Sequence, residues 1–565
     1  MQMTPALRPV EKTRLVVGVT GHRNLRETEL PRLRKEVRSF FEGLQRDFPE
    51  LPLTLLAPLA AGADQLVAGI ALELGIHVIA VLPVPSAVYR DDFEDAASLE
   101  EFNRQLAQCE ALELDSINSA NPDAALQPGV ERNLQYAQVG VFTSSHSHIL
   151  LALWDGTDNG FLGGTAQVVQ FHLHGSISGE LDRRQAAMTT LGLDEESLVY
   201  HIPTGRENDD HDREGVGQWL TSAEGITRHS EMPKSFVTQF KRQSEYNHDR
   251  RQYHDQIAAI RSSPDLDCPI NRQFVAADWL ATTYRRRVSR ILLVTYLLTA
   301  LMGYSFILYS DVMAKDVMIY LFLLFFLAGI GVNSVARRRE WHRQYIDYRA
   351  LAEGLRVQSY WRRSGIVDTN RPAFAHDNFL QKQDVELGWI RNVMRSAGLD
   401  GMLQPLNPAQ DGLDKVVGEW IGSAESPGQL AYYSATSEKR VRHHRRNEWL
   451  ALTCLWLGIS LSVVLAVFAL SLDGFMQNTM VVAMGVLSVT AAVHEAYAYK
   501  KADKELIKQY RFMVRIFSAA KSRLEKSRSV EEKRRILRTL GEAALAEHAE
   551  WTLMHRERPL DNSKI

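Results

Sequence analysis

The pattern of apolar and polar positions divides the chain into two regions of different character. Over the first 210 residues, short apolar runs alternate with helix-period stretches. Arg14–Val19, Leu53–Ala57, Ile76–Leu82, His148–Trp154 and Leu198–Ile202 read as buried strands. Runs of this kind separated by helices predict a parallel sheet covered on both faces. Further on, four stretches carry no charge: Ile291–Ser310, Val317–Ala336, Trp449–Leu472 and Phe475–Val493. Each holds about 19 to 24 residues, or roughly 30 Å of helix, enough to cross a bilayer. The expected fold is an α/β domain on a parallel sheet, then an all-α membrane region of four transmembrane helices in two hairpins.

Basic residues predict an orientation. Arg285–Arg287 and Arg290 precede the first span, and Arg337–Arg339 and Arg343 follow the second. Lys439, Arg440, Arg442, Arg445 and Arg446 precede the third, and Lys500, Lys501 and Lys504 follow the fourth. The turns inside the hairpins, Asp311–Asp316 and Asp473-Gly474, carry only Lys315. The positive-inside rule then places both turns outside and all soluble segments, with both termini, in the cytoplasm. The hairpins also repeat: a shift of 162 positions carries Ile291 onto Thr453, Val317 onto Thr479 and Tyr348-Arg349 onto Tyr510-Arg511. The expected organisation is a sheet domain over 1–210 and a charged helical connector over 211–284. A two-span unit with its cytoplasmic helix over 285–365, a helical connector over 366–438 and a second two-span unit over 439–565 complete it.

Two details inside the connectors carry expectations of their own. Lys234–Ile260 is highly charged at helical spacing and reads as a solvated helix, and "FLQKQDVELGWIRNVMRSAG" reads as a helix expected to end at Gly398. Net charge is −3 and the pI is 6.7, which gives no sign of a nucleic-acid partner. Three separated cysteines, Cys109, Cys268 and Cys454, exclude a disulfide framework or a CxxC zinc site and suit a reducing compartment. Met1–Lys12 lacks the apolar core of a signal peptide, so export of the N-terminal region is not expected.

In open α/β sheets ligands sit outside the carboxyl ends of the strands, and four segments there have matching chemistry. Thr20-Gly21-His22-Arg23 offers a hydroxyl, backbone amides approachable beside glycine, and a guanidinium suited to phosphate. Gly62-Ala63-Asp64 opens a helix, with Asp64 either capping it or meeting a ribose hydroxyl. Asp155 ends a strand as a ribose or base contact, and Gly163-Gly164-Thr165 opens a helix whose N-terminus favours an anion. Tyr89, Arg90 and Arg206 are further candidates on the same rim. No residue pattern calls for a metal.

Together "VGVTGHRNL", "LAPLAAGADQLVA", "VLPVPSAVYRDDF" and "ILLALWDG" with "GGTAQVV" resemble the SLOG superfamily. This Rossmann-like group includes the LOG phosphoribohydrolases, and the match covers about Arg14 to Arg206. The hairpin-plus-helix segments, about Arg285–Trp361 and Glu425–Leu524, resemble SLATT two-helix membrane effectors of bacterial defence systems. LOG enzymes carry PGGxGTxxE. Here Leu162 stands for the proline, Ala166 for the third glycine, Gln167 for the threonine and Gln170 for the catalytic glutamate. Glutamine is no general acid or base, so the resemblance implies binding without hydrolysis. It implies a homo-oligomeric sensor of a nucleotide second messenger, a cyclic nucleotide or ADP-ribose derivative, that acts on the bacterial inner membrane as a pore-forming antiviral effector. No other cofactor is expected. A membrane-tethered LOG-type hydrolase and a scaffold with a vestigial pocket are the alternatives.

Overall fold

Alternation within the first strand explains how the sheet is sandwiched. In Leu15–Gly21 (β1), Leu15, Val17 and Val19 join one buried cluster, whereas Val16 joins another on the opposite face. The computed structural model describes residues 12–557. Its exceptions are 117–120, 159, 161–162, 175, 178–180, 183–196, 208–212, 214, 223–225, 261–267, 313–315, 367–378, 380–384, 405–411, 424–425, 469 and 502. Leu162 therefore lies outside the described residues.

All five expected strands form, and five short ones join them. In chain order they are β1, Leu53–Ala57 (β2), His77–Leu82 (β3), Glu110–Glu113 (β4), Ile149–Trp154 (β5), Ser176–Ile177 (β6), Leu181–Asp182 (β7), Val199–Pro203 (β8), Gln218–Thr221 (β9) and Thr227–His229 (β10). Eight make one sheet in the order β10-β9-β8-β5-β1-β2-β3-β4. Six of these are parallel, and β9 and β10 extend the sheet antiparallel from β8. The chain steps outward from β1 to β4, then returns to place β5 on the other side of β1. That reversal is a topological switch point.

Helices Leu30–Asp47 (α1), Ala63–Glu73 (α2) and Ala96–Leu106 (α3) contribute Val37, Phe41, Val67 and Phe102 to the first face. Val130–His146 (α4) and Thr165–His174 (α5) cover the second. Gly18 lets α4 come close: a Cβ there would meet Ser147 Oγ at 2.2 Å and Thr143 Cγ2 at 2.9 Å.

Much later sequence returns to this unit, which comprises Met1–Ala276 and Leu351–Asp411. Lys234–Gln252 (α6) is not a solvated helix. Phe236 and Phe240 enter the first core, and Asn247 ties the start of the sheet by accepting from Thr13 N–H at 2.9 Å and donating to Glu50 O at 2.9 Å. The charge count misleads because Asp249 and Arg250 are themselves buried. From between the hairpins, Gly388–Met402 (α10) packs Leu399 against Val139 and Phe142 of α4 on the second face. His148 secures it, linking Val16 N–H to Asn392 O at 3.0 Å on each side. Gly398 does not end α10. It admits Gln358, whose Nε2 lies 2.6 Å from where a Cβ would be, so this glycine serves close packing rather than termination.

The second unit, Ala277–Ala350 with Gly412–Ile565, is helical. Among the described residues, four helices are long and apolar enough to cross a membrane: Pro269–Asp311 (α7), Asp316–Arg338 (α8), Gly428–Phe468 (α11) and the one beginning at Gly474 (α12, to Lys500). At most 6% of each apolar window is buried by the protein itself. Trp341–Arg363 (α9) and Asp503–Lys526 (α13) follow the hairpins, and Val530–Glu557 (α14) comes last. The repeat offset recurs in the elements, since Arg338 and Lys500 end the second helices and Trp341 and Asp503 begin the third, each pair 162 apart. Small residues bring α7 and α12 together: Gly303 meets Val489 and Gly485 meets Ile307. Tyr304 Oη and Thr490 Oγ1 are hydrogen-bonded at 2.9 Å, and Tyr296 donates to Ala496 O at 3.1 Å. Asp347, buried on α9, holds Arg343 at 3.2 Å and Arg556 of α14 at 3.0 Å.

If α10 is integral to the sheet unit, Leu399→Ala leaves a cavity on the second face costing about 2–4 kcal/mol. Hydrogen–deuterium exchange should then accelerate in β1, β2 and β3. Unchanged protection there would show that α10 is only laid against the sheet.

Candidate functional site

At the carboxyl end of β1, three segments meet with no room for a side chain. A Cβ on Gly21 would stand 2.4 Å from Ala63 Cβ and 2.9 Å from Leu153 O. One on Gly62, where φ is +84°, would stand 2.0 Å from Arg23 O. Backbone bonds stitch the same junction, with His22 N–H donating to Leu153 O at 3.1 Å and Ala63 N–H to His22 O at 3.0 Å. Both glycines therefore serve close backbone approach within the protein, although Gly21 is expected from the sequence to let a phosphate approach.

Above this junction lies a cavity of about 790 Å³. Ten of the thirteen candidates line it. Thr20, Gly21, His22 and Arg23 come from the β1 exit, Asp64 from α2 and Tyr89 from the helical turn Ser86–Tyr89. Gly163, Gly164 and Thr165 come from the start of α5, and Arg206 from beyond β8. Gly62 is packed behind the wall, and Arg90 points elsewhere, its Nε donating to Asn103 Oδ1 at 2.9 Å. Asp155 also stays off the wall. Its Oδ1 accepts Thr157 N–H at 2.9 Å and Thr157 Oγ1–H at 2.8 Å, while its own N–H donates to His22 Nε2 at 3.0 Å. Arg206 Nε lies 3.1 Å from Asp155 Oδ2. Asp155 is thus a brace that fixes His22 and Arg206 at the rim. Burial opposes its charge, but the Thr157 bonds and the His22 and Arg206 charges outweigh that and hold its carboxyl below the usual range.

The α5 end is partly self-capped. Gly163, with φ +74°, donates its N–H to Gln167 Oε1 at 2.9 Å, so Gln167 satisfies one of the amides the sequence offers to an anion. Gly164 and Thr165 remain at the wall. Gln170 does not line the cavity.

Asp64 is the unusual group. It is 6% exposed and does not cap its own helix, yet Oδ1 has no partner. Burial pushes its carboxyl up to about 7, against the lowering effects of Arg23 and the Ala60 backbone bond.

The sequence reading missed the wall supplied by α4, where Asn133, Tyr136, Gly140 and Thr143 face the cavity. Arg132, on the same helix, donates from Nη2 to both Asp92 carboxylate oxygens at 2.7 and 2.8 Å, and Tyr136 Oη also donates to Asp92. Arg23 lies over the Tyr136 ring, 5.5 Å from its centroid. The signal was available: Arg132, Tyr136, Gly140 and Thr143 recur at helical spacing among apolar neighbours. Among the described residues no cluster of metal-ligand type occurs. No family model matches the chain, and no curated protein does.

The cavity sits at the switch point between β1 and β5, with two guanidinium groups and a helix start on its walls. It has the layout of a nucleotide-binding α/β site.

An acid raised from its ordinary 3.8 to about 7 weakens the fold as pH rises from about 4, with the full cost present above about 7. Asp64→Asn should therefore raise the melting temperature of the unliganded protein by about 3 °C or more at pH 8, and by less at pH 5. An equal shift at both pH values, or none, would contradict a neutralised buried acid.

Proposed function

We propose that the chain is a SLOG-type nucleotide sensor joined to SLATT-like membrane helices. A nucleotide-derived anion binds in the cavity, with its phosphate against Arg23, Arg206, Gly164 and Thr165. Thr20, Gly21, His22, Tyr89 and Gly163 complete the pocket, and the membrane helices respond. The single observation that carries the coupling is the position of α4. One side lines the cavity through Asn133, Tyr136 and Gly140, and Val139 and Phe142 pack on Leu399 of the inter-hairpin helix α10. In turn α10 touches α9, where Gln358 Nε2 donates to Met394 O at 2.9 Å and Gly354 admits Met394. Because α9 continues the chain from the second span, a ligand that prefers one setting of α4 biases that chain segment.

Several features support an effector role for the helices. Arginine and lysine flank the outer ends of both hairpins, as expected for a protein of the bacterial inner membrane with its soluble parts and termini in the cytoplasm. Thr295, Thr299 and Asn333 line a cavity of about 540 Å³ among the spans, and polar groups at that depth suit a homo-oligomeric pore. The absence of an acid at Gln170 disfavours LOG-type hydrolysis.

Reconstituted in liposomes, the protein should bind at least one of AMP, cyclic AMP, cyclic GMP and ADP-ribose. Binding should stabilise it by about 2.7 kcal/mol at a hundredfold excess over Kd and release entrapped ions. Arg23→Ala should abolish both effects. Tight binding without leakage would remove the effector half of the proposal, and failure of all four ligands would remove the sensor half.

A further inference from the structure

The cavity has a second kind of wall, opposite in character to an anion cradle. Tyr89, Phe93 and Tyr136 line it together, with the Tyr89 ring 5.4 Å from Phe93 and 6.2 Å from Tyr136. Asp64 faces the same space, nine-tenths buried, with one carboxyl oxygen engaged by the Ala60 backbone N–H and Oδ1 unpartnered. An aromatic wall suits a flat heterocycle, because every nucleobase has a π-face to lay against it. A buried polar atom left without a partner, in a residue that lines the cavity, calls for one that the ligand brings.

We propose that Asp64 reads the base of the bound nucleotide, donating a hydrogen bond from its neutral carboxyl to an unprotonated ring nitrogen held against Tyr89, Phe93 and Tyr136. The inference rests on the nucleotide reading above and assigns a specificity-determining residue within it.

Electrostatics favour the neutral donor. Burial already disfavours the carboxylate, and a phosphate bound in the same cavity adds charge of the same sign. The groups facing Asp64 come from three elements. Arg23, from the β1 exit, pulls toward the carboxylate. Tyr89 is a neutral phenol, and Asp92, from the segment after β3, is matched by Arg132 of α4 at 2.7 Å. Glu94 and Asp95 also line the cavity. A neutral carboxyl donates one bond and accepts another, which is also the capacity of an asparagine amide. Asp64→Asn therefore preserves both the Ala60 bond and the donor, whereas Asp64→Ala removes them.

The test compares AMP, GMP and CMP with ribose 5-phosphate, which has the sugar and phosphate but no base, by calorimetry on the full-length protein in detergent. The ratio of nucleotide to ribose 5-phosphate affinity cancels titration of the phosphate. In the native protein at least one nucleotide should be favoured about tenfold or more at pH 6, and the preference should fall about tenfold by pH 8 as the donor is lost. Asp64→Asn should keep the preference at both pH values. Asp64→Ala should lose it at both. A preference that grows with pH, an asparagine variant that behaves like alanine, or an alanine variant that weakens ribose 5-phosphate equally overturns the proposal. Binding of ribose 5-phosphate with no gain from any base also overturns it but leaves the anion site standing. If none of the four ligands binds, the nucleotide reading falls and this assignment falls with it.

Discussion

The end of β1 is crowded to the limit of what a backbone permits. The first strand, the start of α2 and the end of β5 converge there, and a single methyl group on Gly21 would overlap Ala63. That closeness sets the geometry of everything above it. It brings the β1 exit under the mouth of the β5 loop, fixes His22 through the Asp155 amide, and turns Asp64 inward beside Arg23. The cavity is thus the space left over where a doubly wound sheet reverses direction. Its polar lining is set by how tightly the three segments close beneath it.

The larger architecture was legible in the sequence because it rests on strong periodic signals. Five near-continuous apolar runs became five of the six parallel strands, with ends shifted by a residue or so, and the four charge-free stretches became the long apolar helices. Short elements escaped. Glu110–Glu113 alternates exposed acids around one buried leucine, and β9 and β10 are edge additions of four and three residues. For the site, the sequence indicates the loops but not what each residue in them touches. Gly21 reads as making room for a ligand, whereas its neighbour is Ala63. Sequence alone does not distinguish a glycine that faces a cavity from one that faces another backbone. Asp155 was read as a ligand contact because it ends a strand, yet its carboxylate is occupied by Thr157. Contacts across more than two hundred positions, such as His148 to Asn392, leave no local trace at all.

Two parts of the molecule are costly when considered without their surroundings. The spans expose large apolar side chains such as Leu297, Phe326, Trp456 and Val463, which is unfavourable in water and neutral in hydrocarbon. Asp64 buries a carboxyl without a full set of partners, which weakens the unliganded fold. In the first case the bilayer supplies the missing environment. The second is a stability cost retained at a site, the kind of trade expected where a binding group is positioned before its ligand arrives.

The return of α10 to the sheet sets an order of events during synthesis. Chains fold from the N-terminus as they emerge, but here the second face of the sheet, which α4 and α5 cover first, is completed only once residues 388–402 have left the ribosome. By then the whole of the first hairpin has already been made. Val16, Leu56, Ile79 and Val81 therefore lack Leu399 until the first pair of long apolar helices has been made. The sheet unit is closed by a part of the chain that lies beyond that hairpin.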